Sequence, residues 1–111
     1  MRDENALTGY TRRIKMGCGN VYITINLKDE KPIEIFTRAG KAGGCQGTLL
    51  QGIGRLTSNA LQDGMDVQKV IDTLKGLSCH EAQPGPRGTV YQSCLDAMAD
   101  FLREVNNDSI S

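Results

Sequence analysis

The chain has 111 residues and a mass of 12.1 kDa, enough for one domain and too little for a large multi-domain enzyme. Thirteen Lys and Arg balance thirteen Asp and Glu, so no global electrostatic draw toward nucleic acid or anionic lipid is expected. Hydrophobic residues at 39% and charged residues at 23% exclude wholesale disorder, and aromatic residues at 5% without Trp supply a stacking platform for single-stranded nucleic acid poorly.

Residues 1–9 read as a polar lead-in, 10–105 as the folded domain and 106–111 as a polar tail. Arg13-Ile14-Lys15-Met16 reads as a first strand, joined through Gly17-Cys18-Gly19-Asn20 to a second. In that second strand Val21, Ile23, Ile25 and Leu27 alternate with Tyr22, Thr24 and Asn26, the period of a half-buried strand. Lys28-Asp29-Glu30-Lys31 is a charged turn, and Pro32 to Thr37 is the return strand, with Pro32 tolerated at its start. Arg12, Arg13 and Lys15 read as a solvated strand face, and the acidic residues fall on solvated helix faces.

After Gly40 the period changes. Leu49, Ile53, Leu56 and Ala60 fall on one face of a helix from Cys45 to Gln62. Gly47, Gly52 and Gly54 weaken that helix by roughly 1 kcal/mol each, which points to close packing against the sheet. Asp66 N-caps a second helix running through Lys75, with Val67, Val70, Ile71 and Leu74 inward and Gly76 just past its end. Residues 80–90 read as a loop. Ser93 and Asp96 form a capping box for a third helix with Leu95, Met98, Leu102 and Val105 on one face. The expected fold is α+β: a small antiparallel three-stranded meander followed by three helices packed on one face.

Four cysteines stand against one histidine, and all four cysteines fall at turns or element ends. Cys18 lies in the first hairpin turn, Cys45 and Cys94 at helix N-termini, and Cys79 beyond the second helix. Unpaired backbone amides and the positive end of a helix dipole favour a thiolate there. Cys18, Cys45, Cys79 and Cys94 are therefore the candidate ligands of a tetrahedral zinc ion, which would staple the fold. No C-x-x-C pair is present to make the spacing specific. An iron–sulfur cluster takes the same ligands, a redox dithiol is a further option, and unrelated reduced thiols are the plain alternative. His80 can replace a cysteine but reads more simply as a solvated loop residue. The Gly-rich stretch from Arg38 to Gly47 offers a second candidate, a phosphate cradle built on Arg38, Lys41, Gly43 and Gly44. It lacks the Lys-Ser/Thr pair of a Walker A loop. No G-x-S-x-G or H-E-x-x-H motif is present. No apolar run is long enough to span a bilayer, and Met1 to Asn5 is charged with no apolar signal region after it. The expectation is a cytoplasmic protein that does not bind membranes.

Several motifs, in order, resemble one family. Ile14 to Asn26, Phe36 to Cys45, Ile53-Gly54-Arg55-Leu56, Leu74 to Cys79 and Gln92-Ser93-Cys94-Leu95-Asp96-Ala97-Met98-Ala99 resemble the TSCPD domain, the C-terminal accessory domain of adenosylcobalamin-dependent (class II) ribonucleotide reductases. The name motif departs at Gln92 and Leu95, which stand where the family has Thr and Pro, while Ser93, Cys94 and Asp96 remain. The resemblance spans residues 10–105 and implies a small free-standing relative with a role near deoxyribonucleotide supply for DNA synthesis. It implies a class II reductase large chain as partner, with nucleotide or nucleic acid as a further partner. Cobalamin would enter only through that reductase. The radical chemistry of the family belongs to a large barrel that 111 residues cannot contain, so no turnover is expected of this chain alone. The sequence thus supports a zinc-stabilised accessory module. The alternatives are a thiol relay delivering reducing equivalents and a nucleotide- or phosphate-binding domain.

Overall fold

A computed structural model describes residues 8–16, 19–39, 45–78, 83–84, 88 and 90–107. Three strands, β1 (Thr8–Met16), β2 (Gly19–Lys28) and β3 (Lys31–Ala39), form an antiparallel sheet in the order β1-β2-β3. Three helices follow: α1 (Cys45–Gln62), α2 (Val67–Leu74) and α3 (Cys94–Asn106). The expected α+β order is observed. Between α2 and α3, a stretch read from sequence as loop contains the short pair β4 (Gln83–Pro84) and β5 (Val90–Tyr91).

β1 begins earlier than the sequence pattern suggests, because Thr8 already pairs with Leu27. Tyr10 and Arg12 occupy inward positions there, so apolar alternation is weak and the period is hard to see. The charged turn forms as expected between β2 and β3. Asp29 and Glu30 both take positive φ, 53° and 67°, which matches the twist of a two-residue hairpin. Pro32 sits on edge strand β3, beside a register shift at Asn26/Leu27, where its missing N–H is tolerated.

Val21, Ile23, Ile25 and Ile35 from the sheet meet Met98, Phe101, Leu102 and Val105 of α3 in one core cluster. Val70, Ile71 and Leu74 of α2 join that cluster, and α2 packs chiefly against α3. The caps of α2 and α3 follow the sequence. The Asp66 carboxylate accepts the Gln68 amide at 3.2 Å, Gly76 ends α2 with φ +77°, and Ser93 Oγ accepts the Asp96 amide at 3.1 Å.

α1 has the expected bounds but not the expected face. Leu49 and Leu56 are 69% and 67% exposed, whereas Leu50, Thr57, Ser58 and Leu61 are buried. The reason is that α1 lies along the free edge of β3. Ser58 Oγ accepts the Ile35 amide at 2.9 Å and donates to the Ile35 carbonyl at 3.0 Å. Thr37 Oγ1 donates to the Leu50 carbonyl at 2.7 Å, and Gln62 Nε2 to the Ile33 carbonyl at 3.3 Å. Gly54 permits this approach, since a Cβ there would lie 3.2 Å from Thr37 Oγ1 and 3.4 Å from the Ile35 carbonyl. Small and hydroxyl-bearing residues thus satisfy an edge strand that would otherwise present unpaired backbone groups. The expected close packing of glycines holds at Gly54. It does not hold at Gly52, which is exposed and where an added methyl would meet no atom within 4 Å.

Two charged residues also depart from expectation. Arg13 and Lys15 are exposed as a solvated strand face requires, but Arg12 turns inward to meet Glu104. Glu104 is buried on α3 rather than solvated, because the Arg12 guanidinium supplies its counter-charge.

Candidate functional site

The order of contacts along α1 fixes its direction. Leu50 meets Thr37, Ser58 meets Ile35 and Gln62 meets Ile33, so α1 runs antiparallel to β3. Its first residue, Cys45, therefore stands at the end of the sheet where Val21 pairs with Ala39. The same end carries the paired Met16 and Gly19, which flank Cys18. At the opposite end, the β2–β3 turn, a cavity of about 520 Å³ is lined by Lys28, Lys31, Leu61, Met65, Val67 and Asn106. The finish of α1, the start of α2 and the finish of α3 thus gather there.

It follows that α3, about 20 Å long at 1.5 Å per residue, begins toward the Met16/Gly19 end. The exit of α2 is fastened to that beginning. Asp96 Oδ1 accepts the Gly76 amide at 2.8 Å, and Asp96 Oδ2 accepts the Gln92 amide at 2.9 Å. A reciprocal capping box would have turned this carboxylate onto the Ser93 amide. Instead it clamps the α2 terminus, three residues before Cys79, to the first turn of α3, which opens with Cys94. The sequence shows both parts of the clamp, the capping pair and the terminal glycine, but not their meeting across 20 residues.

Cys94 is half-buried and packs against the core cluster. Cys18, Cys79 and His80 lie outside the described residues, as does the side chain of Cys45. Among the described residues no group of three or more His, Cys, Asp or Glu side chains could hold a metal ion. Of the candidate phosphate cradle, Arg38 is described and Lys41, Gly43 and Gly44 are not. Arg38, the last residue but one of β3, is exposed, with its guanidinium carbon 5.0 Å from the centre of the Tyr22 ring.

Behind Cys94, Tyr91 is buried and donates from its hydroxyl to Asp100 Oδ2 at 2.9 Å. Burial first, and the Asp100 carboxylate second, push the Tyr91 phenol up to about 12. That phenol stays protonated at any physiological pH and serves as a fixed donor. Asp100 also accepts from Arg103 at 2.7 Å. The Asp96 and Asp100 carboxylates thus hold the start of α3 through four contacts, to Gly76, Gln92, Tyr91 and Arg103.

A family model for the TSCPD domain matches residues 2–106. No curated protein and no solved structure matches the chain. Among the described residues no helix is long and apolar enough to cross a membrane.

Proposed function

From its membership of the TSCPD domain family, to which the chain belongs over residues 2–106, a family linked to ribonucleotide reductase, we propose that it is a docking module for the large chain of a cobalamin-dependent reductase. The observation that carries this reading is the outer side of α1. Leu49 and Leu56 lie two turns apart on one side of the helix, 69% and 67% exposed, with half-buried Ile53 between them. The opposite side is committed to β3 through Ser58 and Gly54. A rigid helix showing an apolar stripe is a surface for a protein partner.

The metal belongs to the same proposal. Cys18, Cys45, Cys79 and Cys94 would hold one zinc ion as thiolates, supported by the gathering of their described neighbours Met16, Gly19, Gly76 and Ser93 toward one end of the fold. Zinc in a four-thiolate shell supplies folding free energy and no redox chemistry. The helix N-termini at Cys45 and Cys94 favour the ionised sulfur. The module has no reaction of its own; its role is to present α1.

The test is sedimentation of the chain with a cobalamin-dependent reductase large chain lacking such a domain. A complex is expected, weakened about tenfold or more by Leu49→Glu with Leu56→Glu. Both positions are exposed, so the variant keeps its fold. No complex, or one indifferent to these substitutions, overturns the docking reading. A disulfide that forms and reduces with turnover would replace it by the thiol relay.

A further inference from the structure

Opposite the core, the sheet presents a second face, which α1 leaves open on its central rows. The strand register arranges it in rows: Arg13, Tyr22 and Arg38 in one, Thr11, Thr24 and Phe36 in the next, and Lys15 with Asn20 at the end. Arg13, Lys15, Thr11 and Arg38 are exposed, and Phe36 is 49% exposed. We propose that this face binds single-stranded nucleic acid, with bases stacking on Tyr22 and Phe36 and phosphates meeting Arg13, Lys15 and Arg38.

Three observations carry the proposal. The chain has just five aromatic residues, and two of them, Tyr22 and Phe36, stand diagonally on adjacent strands of this open face. Diagonal neighbours across a sheet lie roughly 7–8 Å apart, which suits two successive bases splayed onto separate rings. A Phe ring 49% exposed is costly in water, and a base covers it. Second, the charge on these rows is one-sided. Their acid is Glu34, in the outlying row with Asn26, whose amide donates to it at 3.3 Å. The balanced total therefore conceals a local basic surface. Third, Arg38 lies over the Tyr22 ring at 5.0 Å, so the guanidinium and the ring form one stack, and a base can lie on the guanidinium plane while its phosphate meets the charge. Between the rings a shallow cavity of about 350 Å³ is lined by Thr11, Thr24, Phe36 and Arg38, with Thr11 Oγ1 and Thr24 Oγ1 bonded at 2.8 Å. An acidic peptide would satisfy the cations and leave the Phe36 ring uncovered, so that flat face decides for nucleobases.

The experiment is fluorescence anisotropy of labelled oligothymidylate and oligouridylate, each of about a dozen nucleotides, titrated with the full chain. Binding of either supports the proposal, and the two arms tell DNA from RNA. Affinity should fall with salt at a slope of about −2 in log–log form, from three phosphate contacts on a single strand. Phe36→Ala should weaken binding by roughly 5- to 100-fold without changing the melting temperature. Phe36→Trp should retain binding and, in a chain with no other Trp, show quenching when the base stacks. No binding up to about 100 μM at low salt, equal binding by Phe36→Ala, or equal binding of polyglutamate overturns it.

Discussion

Arg12 on β1 and Glu104 on α3 form an ion pair of 2.5 Å between residues 92 apart in sequence. The guanidinium also lies 4.5 Å above the ring of Phe101, so one side chain joins the first strand to the last helix by charge and by stacking. Glu104 is 4% exposed, and removing the guanidinium takes a counter-charge from a carboxylate that water does not reach. Arg12→Ala should therefore cost about 2–4 kcal/mol in urea unfolding, the lower end reflecting the partly exposed Arg. Replacing both partners, Arg12→Met with Glu104→Leu, should recover most of that loss.

Ser58 gives a second prediction. Its hydroxyl satisfies both the amide and the carbonyl of Ile35. Ser58→Ala leaves two buried backbone groups without that partner and should cost about 1–3 kcal/mol. Gly54→Ala should also destabilise, since its methyl enters 3.2 Å from Thr37 Oγ1. Chemical denaturation of the single variants checks both, and a double variant should be non-additive because both sites seat one helix on one strand.

Tyr91 predicts a pH dependence. Its phenol ionises near 10 in the unfolded chain and is pushed up to about 12 in the folded one. The folded state keeps its proton where the unfolded state loses it, so this contribution is complete below pH 10 and declines as pH rises toward 12. Tyr91→Phe should lower stability at neutral pH by about 1 kcal/mol through the lost bond to Asp100. The gap between variant and parent in melting temperature should then narrow above pH 10; a constant gap would contradict the assignment.

The Asp96 clamp is tested by Asp96→Asn. The carboxylate serves the Gly76 and Gln92 amides with separate oxygens, and an amide side chain offers one acceptor. Hydrogen exchange at Gly76 or Gln92 should accelerate, with a stability loss of about 1–2 kcal/mol.

For the zinc proposal, protein purified under reducing conditions should carry about one equivalent of zinc, and chelation should lower its melting temperature. Cys94→Ser should reduce both. Less than about half an equivalent, with melting unchanged by chelator, counts against the site.

Much of this fold is legible in the sequence because local chemistry dictates it. The alternation of Val21, Ile23 and Ile25, the Asp66 cap, the Gly76 stop and the Ser93 cap each need only neighbours within a few residues. What sequence hides depends on distant partners. Arg12 points inward only because Glu104 waits there. The inner side of α1 is misread because hydrophobic periodicity weighs Leu49 and Leu56 above Gly54 and Ser58, whereas an edge strand asks for close approach and a hydroxyl. At the candidate site, the placement of Cys45 and Cys94 at helix starts is legible from glycine and cap signals. The fastening of α2 to α3 through Asp96 is not, since a capping box and a stray carboxylate look alike until Gly76 arrives.

The seating of α1 also protects the protein from itself. A long exposed margin of strand is a template on which further copies can add, growing toward fibrils. Ile33, Ile35 and Phe36 would make β3 an attractive one. With Ser58 and Gln62 bonded along it, that route is shut while the helix stays in place, so solubility and the integrity of α1 are a single property.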